Sequence, residues 1–309
     1  AGLVKVKMLP FDNKSEFQIT LDYPIMTPLM TSNQWSRELA SSLLRHPDVK
    51  KVQIFTGESA PFSFSGMVKH TFLRKSEYMS DLHVLLADKS ARKKSGHEII
   101  NELRPAIAEF SKIKGAVSKV LEIPPGPPVM ATMVAEIYAK DVETRRKAAG
   151  EIYSLFARES SIVDLDHSWR ESRERMLIPY DYGKAATYGT KAVQSWSLGR
   201  LIFSESKVTT LDDVTTPEEV GVILSLDQKT RSSLRPFRGQ TFSSFEAGVV
   251  GAANVLGAPQ VIKTETLYRK NLRPVEYVLS ELAGTEEAPV YGFLKLEAQI
   301  PYATQTAEV

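Results

Sequence analysis

The sequence predicts an α+β fold of two β-α-β-β-α-β units, with a third module inserted into the second unit. Three observations predict it. Strand and helix patterns alternate through residues 1–123, a proline-rich run at residues 124–128 interrupts them, and a further strand-helix-strand pattern breaks off at about residue 165. At 309 residues, the chain is too long for one ordinary core and fits two or three modules.

The first unit, residues 1–123, has the clearest periodicity. Predicted strands cover residues 17–21, 52–56, 82–87 and 117–123, and predicted helices cover residues 32–46 and 95–112. The alternation in residues 17–21 is typical of a half-buried strand. Thr31 or Ser32 is the expected N-cap of the first helix, and Gly115 is expected to close the second. Two successive strand-helix-strand patterns are typical of the ferredoxin-like fold, in which two helices cover one face of an antiparallel sheet.

The second unit is split in the sequence. Its first part is residues 124–165, and it resumes in residues 271–309. Residues 166–270 do not continue the strand-helix-strand pattern and contain irregular stretches rich in Gly, Ser and Phe. They are predicted to be an inserted α+β module. Predicted strands of these parts cover residues 133–139, 162–165, 175–179, 220–226 and 274–279, and predicted helices cover residues 142–158 and 183–188. Because only a strand and half a helix are expected after the last apolar strand, the second unit is predicted to be incomplete.

Composition excludes several classes of function. The net charge is +2, so no basic surface indicates nucleic-acid binding. There are no cysteines, which excludes disulfides, thiolate metal sites and a cysteine nucleophile. No apolar run is long enough to span a bilayer, because the best candidate, residues 247–261, is short and contains Asn254 and Pro259. Residues 1–10 lack the apolar core of a signal peptide.

Catalytic and metal-binding motifs are also missing from the sequence. No nucleophile elbow, Walker motif or G-x-G-x-x-G spacing is present. The histidines show neither an i,i+4 pair nor an HExxH motif; they are His46, His70, His83, His97 and His167. We therefore predict no enzyme, no cofactor and no resident metal. Two basic clusters, residues 92–94 and 145–147, are interpreted as solvated faces beside predicted helices.

Five stretches along the chain resemble the RND efflux transporters of the AcrB type. The most specific is MLPFDNKSEF at residues 8–17. The others are PFSFSG at residues 61–66, the proline run at residues 124–128, DYGKAATYG at residues 181–189 and YRKNLRPV at residues 268–275. Their order and spacing match the second large periplasmic loop of these pumps from residue 8 to about residue 292.

This resemblance implies a function that composition cannot show. Residues 1–123 and the split second unit would be the two C-terminal porter subdomains of a proton-driven multidrug efflux pump, and residues 166–270 its docking subdomain. The resemblance further implies a homotrimer in a bacterial inner membrane. Its periplasmic part would contact an adaptor protein and an outer-membrane channel protein and would export small amphiphilic compounds. The proton relay lies in membrane helices, so the chain alone is not expected to transport anything.

Phe62 and Phe64 are candidates for the substrate path. The flanking proline, serines and glycine favour an irregular loop around the two rings. A loop that carries aromatic side chains suits an apolar pocket for many compounds, because aromatic surface is buried without directional demands. The resemblance places both rings in the switch loop of the pump. The alternative is an ordinary loop whose rings anchor it to the core.

Pro125, Pro127 and Met130 are further candidates, because the resemblance places them in the loop that links the two porter subdomains. A rigid linker is the alternative for this run. Thioethers are soft ligands, so the methionines also suggest a second hypothesis, the export of monovalent copper or silver. Methionine more often fills gaps in a core, however. A heavy-metal exporter and a free-standing ligand-binding protein of ferredoxin-like fold therefore stay open beside multidrug efflux.

Overall fold

The computed structural model describes residues 12–122, 130–170, 172–215, 219–244, 247–283, 289–297, 299–300 and 307–309. The chain divides into two compact units. Unit 1 consists of Ala1–Arg173 with Glu265–Val309, and unit 2 consists of Glu174–Thr264. Unit 1 contains two sheets, which define a first subdomain (residues 12–122) and a second subdomain (residues 130–170 with 265–309).

The first subdomain is a ferredoxin-like sheet with its two long helices packed into one core. Its elements are β1 (Glu16–Asp22), α1 (Leu29–Leu43), β2 (Val49–Thr56), α2 (Phe64–Val68), β3 (Met79–Leu86), α3 (Gly96–Lys114) and β4 (Val117–Leu121). The strand order is β2-β3-β1-β4, and all neighbours are antiparallel. The four strands and two long helices predicted for this part are confirmed, whereas α2 was not predicted.

Helix α3 shows how local sequence sets an element. Ser95 and Glu98 form a capping box, in which the Ser95 hydroxyl accepts from the Glu98 N–H and the Glu98 carboxylate accepts from the Ser95 N–H. Gly115 ends the helix in the left-handed region, at φ 64°, which confirms its predicted role. Ile99 and Leu103 are among the buried residues that face the core.

The N-cap prediction for α1 was wrong. The helix begins at Leu29, directly after an extended Pro28, and no side chain caps it. Ser32 lies in the first turn and is fully buried, with its carbonyl oxygen accepting from the Ser36 hydroxyl at 2.8 Å. Proline is tolerated at a helix start because its missing N–H would have no partner there. The apolar periodicity misplaced the start because Leu29 and Met30 are exposed.

Asn13, inside the MLPFDNKSEF stretch, joins the segment before β1 to Arg92 and to the first residue of α3. Its side-chain oxygen accepts from Arg92 at 2.6 Å and from the Gly96 N–H at 2.9 Å. Arg92 also donates to the carbonyl oxygens of Ala87 and Lys14, both at 3.0 Å. Arg92 is buried, so the interpretation of its cluster as a solvated face was wrong for this residue. These hydrogen bonds replace the ones to water that the buried guanidinium loses.

The second subdomain begins with the predicted strand-helix-strand pattern. Its elements before unit 2 are β5 (Met133–Ile137), α4 (Val142–Phe156) and β6 (Ile162–His167). Asp141 caps α4 by accepting from the Thr144 N–H at 2.8 Å. Ile137, Ile152 and Phe156 are central to the core of this subdomain. Arg145 in α4 is buried, so its cluster is not wholly a solvated face either.

Unit 2 has a small core and three β-ribbons. Its elements are β7 (Arg173–Leu177), α5 (Tyr182–Thr187), α6 (Ala192–Phe203), β8 (Ser206–Leu211), β9 (Val220–Leu224), α7 (Gln228–Arg231), α8 (Arg235–Arg238), β10 (Thr241–Ser244), β11 (Gly248–Gly251), α9 (Ala252–Val255) and β12 (Gln260–Thr264). The strands pair as β7 with β12, β8 with β9 and β10 with β11. Asp181 caps the predicted short helix α5, and Ala185 buries its inner face.

The chain returns to the second subdomain with β13 (Tyr268–Lys270), β14 (Arg273–Leu282) and α10 (Pro289–Glu297). Strand β14 is central and pairs antiparallel with β5, β6 and β13. The Glu308 N–H and C=O both bond to Tyr138, just after β5. The order β6-β14-β5 followed by Glu308 is therefore the same as β2-β3-β1-β4 in the first subdomain. The predicted α+β class with two ferredoxin-like sheets is confirmed.

Replacing Gly96 by alanine is expected to destabilise unit 1. A Cβ at Gly96 would lie 2.5 Å from the Lys14 backbone oxygen, so either the segment before β1 or α3 must shift. Overpacking of this kind costs about 1–3 kcal/mol. Urea unfolding followed by far-UV circular dichroism measures the loss.

Gly150→Ala is the matched control for this substitution. Gly150 lies inside α4 and a Cβ there would meet nothing within 4 Å. Alanine is the better helix former, so this variant is expected to gain about 0.5–1 kcal/mol. Equal unfolding midpoints for the two variants would contradict the proposed close approach at Gly96.

Candidate functional site

The polar face of the first subdomain's sheet is buried. Gln18, Thr20 and Asp22 alternate with apolar residues along β1, and their exposed fractions are only 6%, 1% and 8%. Asp81 on β3 and Lys119 on β4 both lie opposite Thr20 and so share its face. The prediction of a half-buried strand was therefore wrong for this face, which carries a network of charges.

Arg74 neutralises two of the carboxylates on this face. It donates to Asp22, to Asp81 Oδ1 at 2.9 Å and to the Leu21 carbonyl oxygen at 2.9 Å. Burial raises the pKa of Asp81, although Arg74 opposes that rise. The other oxygen of Asp81 accepts from the Ala60 N–H at 2.9 Å. Asp81 thus joins the sheet to the segment that leads into Phe62.

The same network continues into the second subdomain. Arg170, just after β6, donates to Asp22 at 3.2 Å and to Asp166 at 2.8–3.0 Å. Lys119 of the first subdomain also donates to Asp166, at 2.7 Å. Burial by itself would raise the pKa of Asp166, but Lys119 and Arg170 outweigh it and hold this pKa well below the ordinary range. The charges alternate in the order Arg74, Asp22, Arg170, Asp166, Lys119.

A second charged contact between the subdomains centres on Asp164. Its carboxylate accepts from Arg104 of α3 and from the Val120 N–H at 3.3 Å. Asp164 has φ 51°, and the pairing of β6 with β14 shifts register beside it. A non-glycine residue in this region costs about 1–3 kcal/mol and persists only where surrounding contacts hold it. The bulge turns the carboxylate out of the strand ladder toward the first subdomain.

Phe62 lies on the segment between β2 and β3, and the residue is 70% exposed. The ring packs edge to face on Phe72, with centroids 5.8 Å apart. The Ser59 hydroxyl donates to the Phe72 carbonyl oxygen at 3.1 Å, and Ala60 is held by Asp81. The backbone on the N-terminal side of Phe62 is therefore fixed while its aromatic surface faces outward.

Phe64 is the first residue of α2, so the prediction of an irregular loop was wrong for Phe64–Val68. The Ser63 hydroxyl accepts from the Gly66 N–H at 3.0 Å, within the first turn. The Thr71 hydroxyl donates to the Gly66 carbonyl oxygen at 3.4 Å. A Cβ at Gly66 would lie 3.1 Å from both hydroxyl oxygens, which leaves little room for a side chain. The glycine that favoured a loop instead permits a tight helical turn.

Lys69, directly after α2, ties this segment to the second subdomain. It forms an ion pair with Glu281 of β14, and Glu281 also accepts from the Thr132 hydroxyl. Thr132 is two residues after Met130, whose side chain is 37% exposed. The segments that carry Phe62 and Met130 therefore meet at one ionic contact. Lys69 and Glu281 are 212 positions apart, and no sequence pattern signals their pairing.

The five predicted site residues thus have different outcomes in the structure. Phe62 and Met130 are exposed on segments that converge at Lys69 and Glu281, while Phe64 begins α2. Pro125 and Pro127 lie outside the described residues. The charged residues that join the subdomains were not predicted as site residues.

The chain matches the AcrB/AcrD/AcrF family over residues 3–289. It belongs to this family of RND efflux transporters. The match includes Phe62, Met130 and the whole charged network. Transporters rather than enzymes make up the family. No curated protein matches the chain significantly.

Two similar structures are crystal forms of a heavy metal efflux pump. One has a TM-score of 0.71 and 16% identity and covers 95% of this chain; the other has a TM-score of 0.68 and 16% identity and covers 94%. This RND chain spans 30% of the pump chain in each case. At this identity the likeness shows the fold alone. Among the described residues of the RND chain, no helix is long and apolar enough to cross a membrane.

Asp166→Asn is expected to destabilise unit 1 of the RND chain at pH 7 by on the order of 3 kcal/mol, because it removes the buried counter-charge of Lys119 and one of the two counter-charges of Arg170. The folded pKa of Asp166 is lowered, so its contribution is complete above the unfolded pKa of about 3.9 and is lost as the pH falls toward the folded pKa. The stability gap between parent and variant should therefore narrow from pH 5 to pH 3.

Denaturant unfolding at several pH values measures this gap. Asp88→Asn is the control, because Asp88 is exposed and its side chain caps nothing. We expect that variant to differ from the parent by less than about 0.5 kcal/mol at every pH. A gap for Asp166→Asn that is constant with pH would contradict the role of the Asp166 charge.

Proposed function

We propose that this chain is the periplasmic portion of a proton-driven bacterial inner-membrane pump that exports small amphiphilic organic compounds. The observation that carries the proposal is the exposed aromatic surface of Phe62 and Phe72 on a firmly anchored segment. The family membership supplies the general activity, efflux. The pump would act as a homotrimer with a periplasmic adaptor protein and an outer-membrane channel protein.

The surface around Phe62 suits apolar or amphiphilic substrates. Exposed apolar side chains on this segment include Phe62, Met67, Phe72 and Leu73. Apolar surface of this kind in a soluble region usually marks a binding site. The neighbouring charges of Lys69 and Glu281 neutralise each other, so they place no strong charge requirement on a substrate. Aromatic and thioether groups can then accept ligands of many shapes.

Export of monovalent copper or silver is the second candidate. The similar solved structures are of a heavy metal efflux pump, and Met67 and Met130 expose thioethers near the contact between the subdomains. A free-standing ligand-binding protein is disfavoured, because the family match covers most of the chain.

Phe62→Ala with Phe64→Ala, introduced into the full-length pump, is expected to reduce resistance to dyes and detergents while expression stays unchanged. Loss of one aromatic contact is worth about 0.5–1.5 kcal/mol, or about two- to ten-fold in affinity. Growth inhibition across a broad panel of compounds measures the effect. Phe293→Ala, which removes an exposed ring from α10, is the control and should leave the panel unchanged. Unchanged resistance in the double variant would count against a substrate-path role.

Met67→Leu with Met130→Leu separates the two candidates. Leucine keeps the apolar volume but removes the thioether, so an organic-compound pump should retain its dye and detergent resistance. A copper or silver exporter should lose metal resistance, because the soft ligands are gone. Growth on graded silver, copper and dye concentrations measures both. Met176→Leu, at an exposed methionine in β7, is the control. Selective loss of metal resistance would overturn the proposal for organic substrates.

A further inference from the structure

Arg104 of α3 is shared by carboxylates from both subdomains. It donates to Asp164 of β6 and, at 3.3 Å, to Glu122, which directly follows β4. The exposed fractions of the side chains are only 13%, 11% and 14% for Arg104, Asp164 and Glu122. Ionised groups with so little contact to water need a partner of opposite charge. One guanidinium charge therefore serves two carboxylates that compete for it.

His97 of α3 is the second partner of Glu122. Its Nδ1 lies 2.8 Å from a Glu122 oxygen, and its Nε2 lies 3.0 Å from the side-chain nitrogen of Asn101. The side-chain oxygen of Asn101 accepts from Arg104 Nε at 3.3 Å. In this orientation the Asn101 amide donates to Nε2, so the ring is neutral and donates to Glu122 from Nδ1. Asn101 thus connects the two partners of Glu122 along one face of α3.

The ion pair of Lys69 with Glu281 lies close to the same contact. Burial raises the pKa of Asp164, Arg104 opposes that rise, and Glu281 adds to it. While His97 is neutral, the contact therefore holds more negative than positive charge, with three carboxylates against two cations. A proton on His97 removes this excess. Each carboxylate then has one cation, in the pairs Glu122 with His97, Asp164 with Arg104 and Glu281 with Lys69.

We propose that His97 is a proton sensor for the contact between the first and second subdomains. When His97 is neutral, Glu122 competes with Asp164 for Arg104. When His97 binds a proton, it satisfies the charge of Glu122, and Arg104 is left for Asp164 in the second subdomain. The proton thus strengthens the contact. By linkage, the contact increases the affinity of His97 for the proton by the same factor.

Asn101 transmits the change from His97 to Arg104. A protonated ring donates from both nitrogens, so the Asn101 amide turns its oxygen toward Nε2. The amide nitrogen then faces Arg104 Nε, and two donors cannot form a hydrogen bond with each other. Arg104 Nε is thereby released to bind a carboxylate, and Asp164 is the one that no longer has a competitor.

The sensor acts near neutral pH, because the ordinary pKa of a histidine is about 6.5. A histidine that binds its proton more tightly in the folded chain contributes its full stability below that pH. The contribution is lost as the pH rises through the range in which the folded histidine titrates. The proposal rests on unit 1 alone and is independent of the compounds that the pump exports.

A double-mutant cycle between His97 and Asp164 tests the proposal. The chain, His97→Gln, Asp164→Asn and the double variant are unfolded with urea near pH 5.5 and near pH 8. Glutamine keeps a donor and an acceptor without a charge, and asparagine tolerates the left-handed backbone at Asp164. We expect the two substitutions to be coupled about five- to ten-fold in the unfolding equilibrium constant near pH 5.5, and less than about two-fold near pH 8.

His46→Gln is the matched control, because His46 also pairs with a carboxylate, Glu102 at 3.3 Å, but within the first subdomain. It should show no coupling to Asp164 at either pH. NMR titration of the His97 ring is a second measurement, made on the folded chain without denaturant. There, Asp164→Asn should lower the proton affinity of His97 by about five- to ten-fold, as linkage requires.

Four results are decisive against the sensor. Coupling of equal size at both pH values would contradict a role for the charge of His97, and absence of coupling near pH 5.5 would overturn the proposal. A pH dependence that survives His97→Gln would place the proton on a carboxylate of the contact instead. A His97 titration that is unchanged in Asp164→Asn would show that the second subdomain has no influence on the proton.

Discussion

The charged contact between the first and second subdomains is the constraint on which the rest of unit 1 depends. Asp22 and Asp166 are nearly buried, and each is bound by two cations, with Arg170 shared between them. Burying a charge is costly unless it is paired, so each charged residue of this contact requires a neighbour of opposite charge. An interface built in this way contributes little net stability compared with an apolar one. Instead it specifies which strand of one subdomain faces which strand of the other.

The exposed apolar surface around Phe62 depends on the same charges. Asp81, which Arg74 neutralises, holds Ala60, and the ion pair of Lys69 with Glu281 holds the far side of α2. The segment between these two anchors can therefore present aromatic and thioether groups without collapsing onto the core. Asp164 in β6 has a strained backbone conformation, and its carboxylate accepts a hydrogen bond from Arg104. This is a further contact between the subdomains. The exposed apolar surface and the contact between the subdomains are thus parts of one arrangement.

Unit 2 differs from unit 1 in the size of its core and in its exposed apolar surface. Its core is small and is formed by α5, α6, α8 and α9 with the β10–β11 ribbon, while apolar side chains stay exposed on the β8–β9 ribbon. Its acidic and basic residues are concentrated in different segments, and Arg231 pairs with Glu205 at 3.1 Å. The two units of this RND chain therefore differ: unit 1 pairs charges in its interior, whereas unit 2 leaves much apolar surface exposed.

Local sequence determined the secondary structure of the ferredoxin-like sheets. The capping box at Ser95, the closing Gly115 and the apolar periodicities of α3 and β1 act over a few residues, so they can be read along the chain. The family could be identified from stretches such as MLPFDNKSEF, in which Asn13 has the structural task of joining Arg92 and Gly96. Only the tertiary structure decided which polar residues are buried. Asp22, Arg92 and Asp166 have the sequence character of surface residues, and their partners are 52, 79 and 47 positions away. Charge pairing at such separations leaves no periodic trace, because it depends on how whole sheets meet and not on the spacing of neighbours.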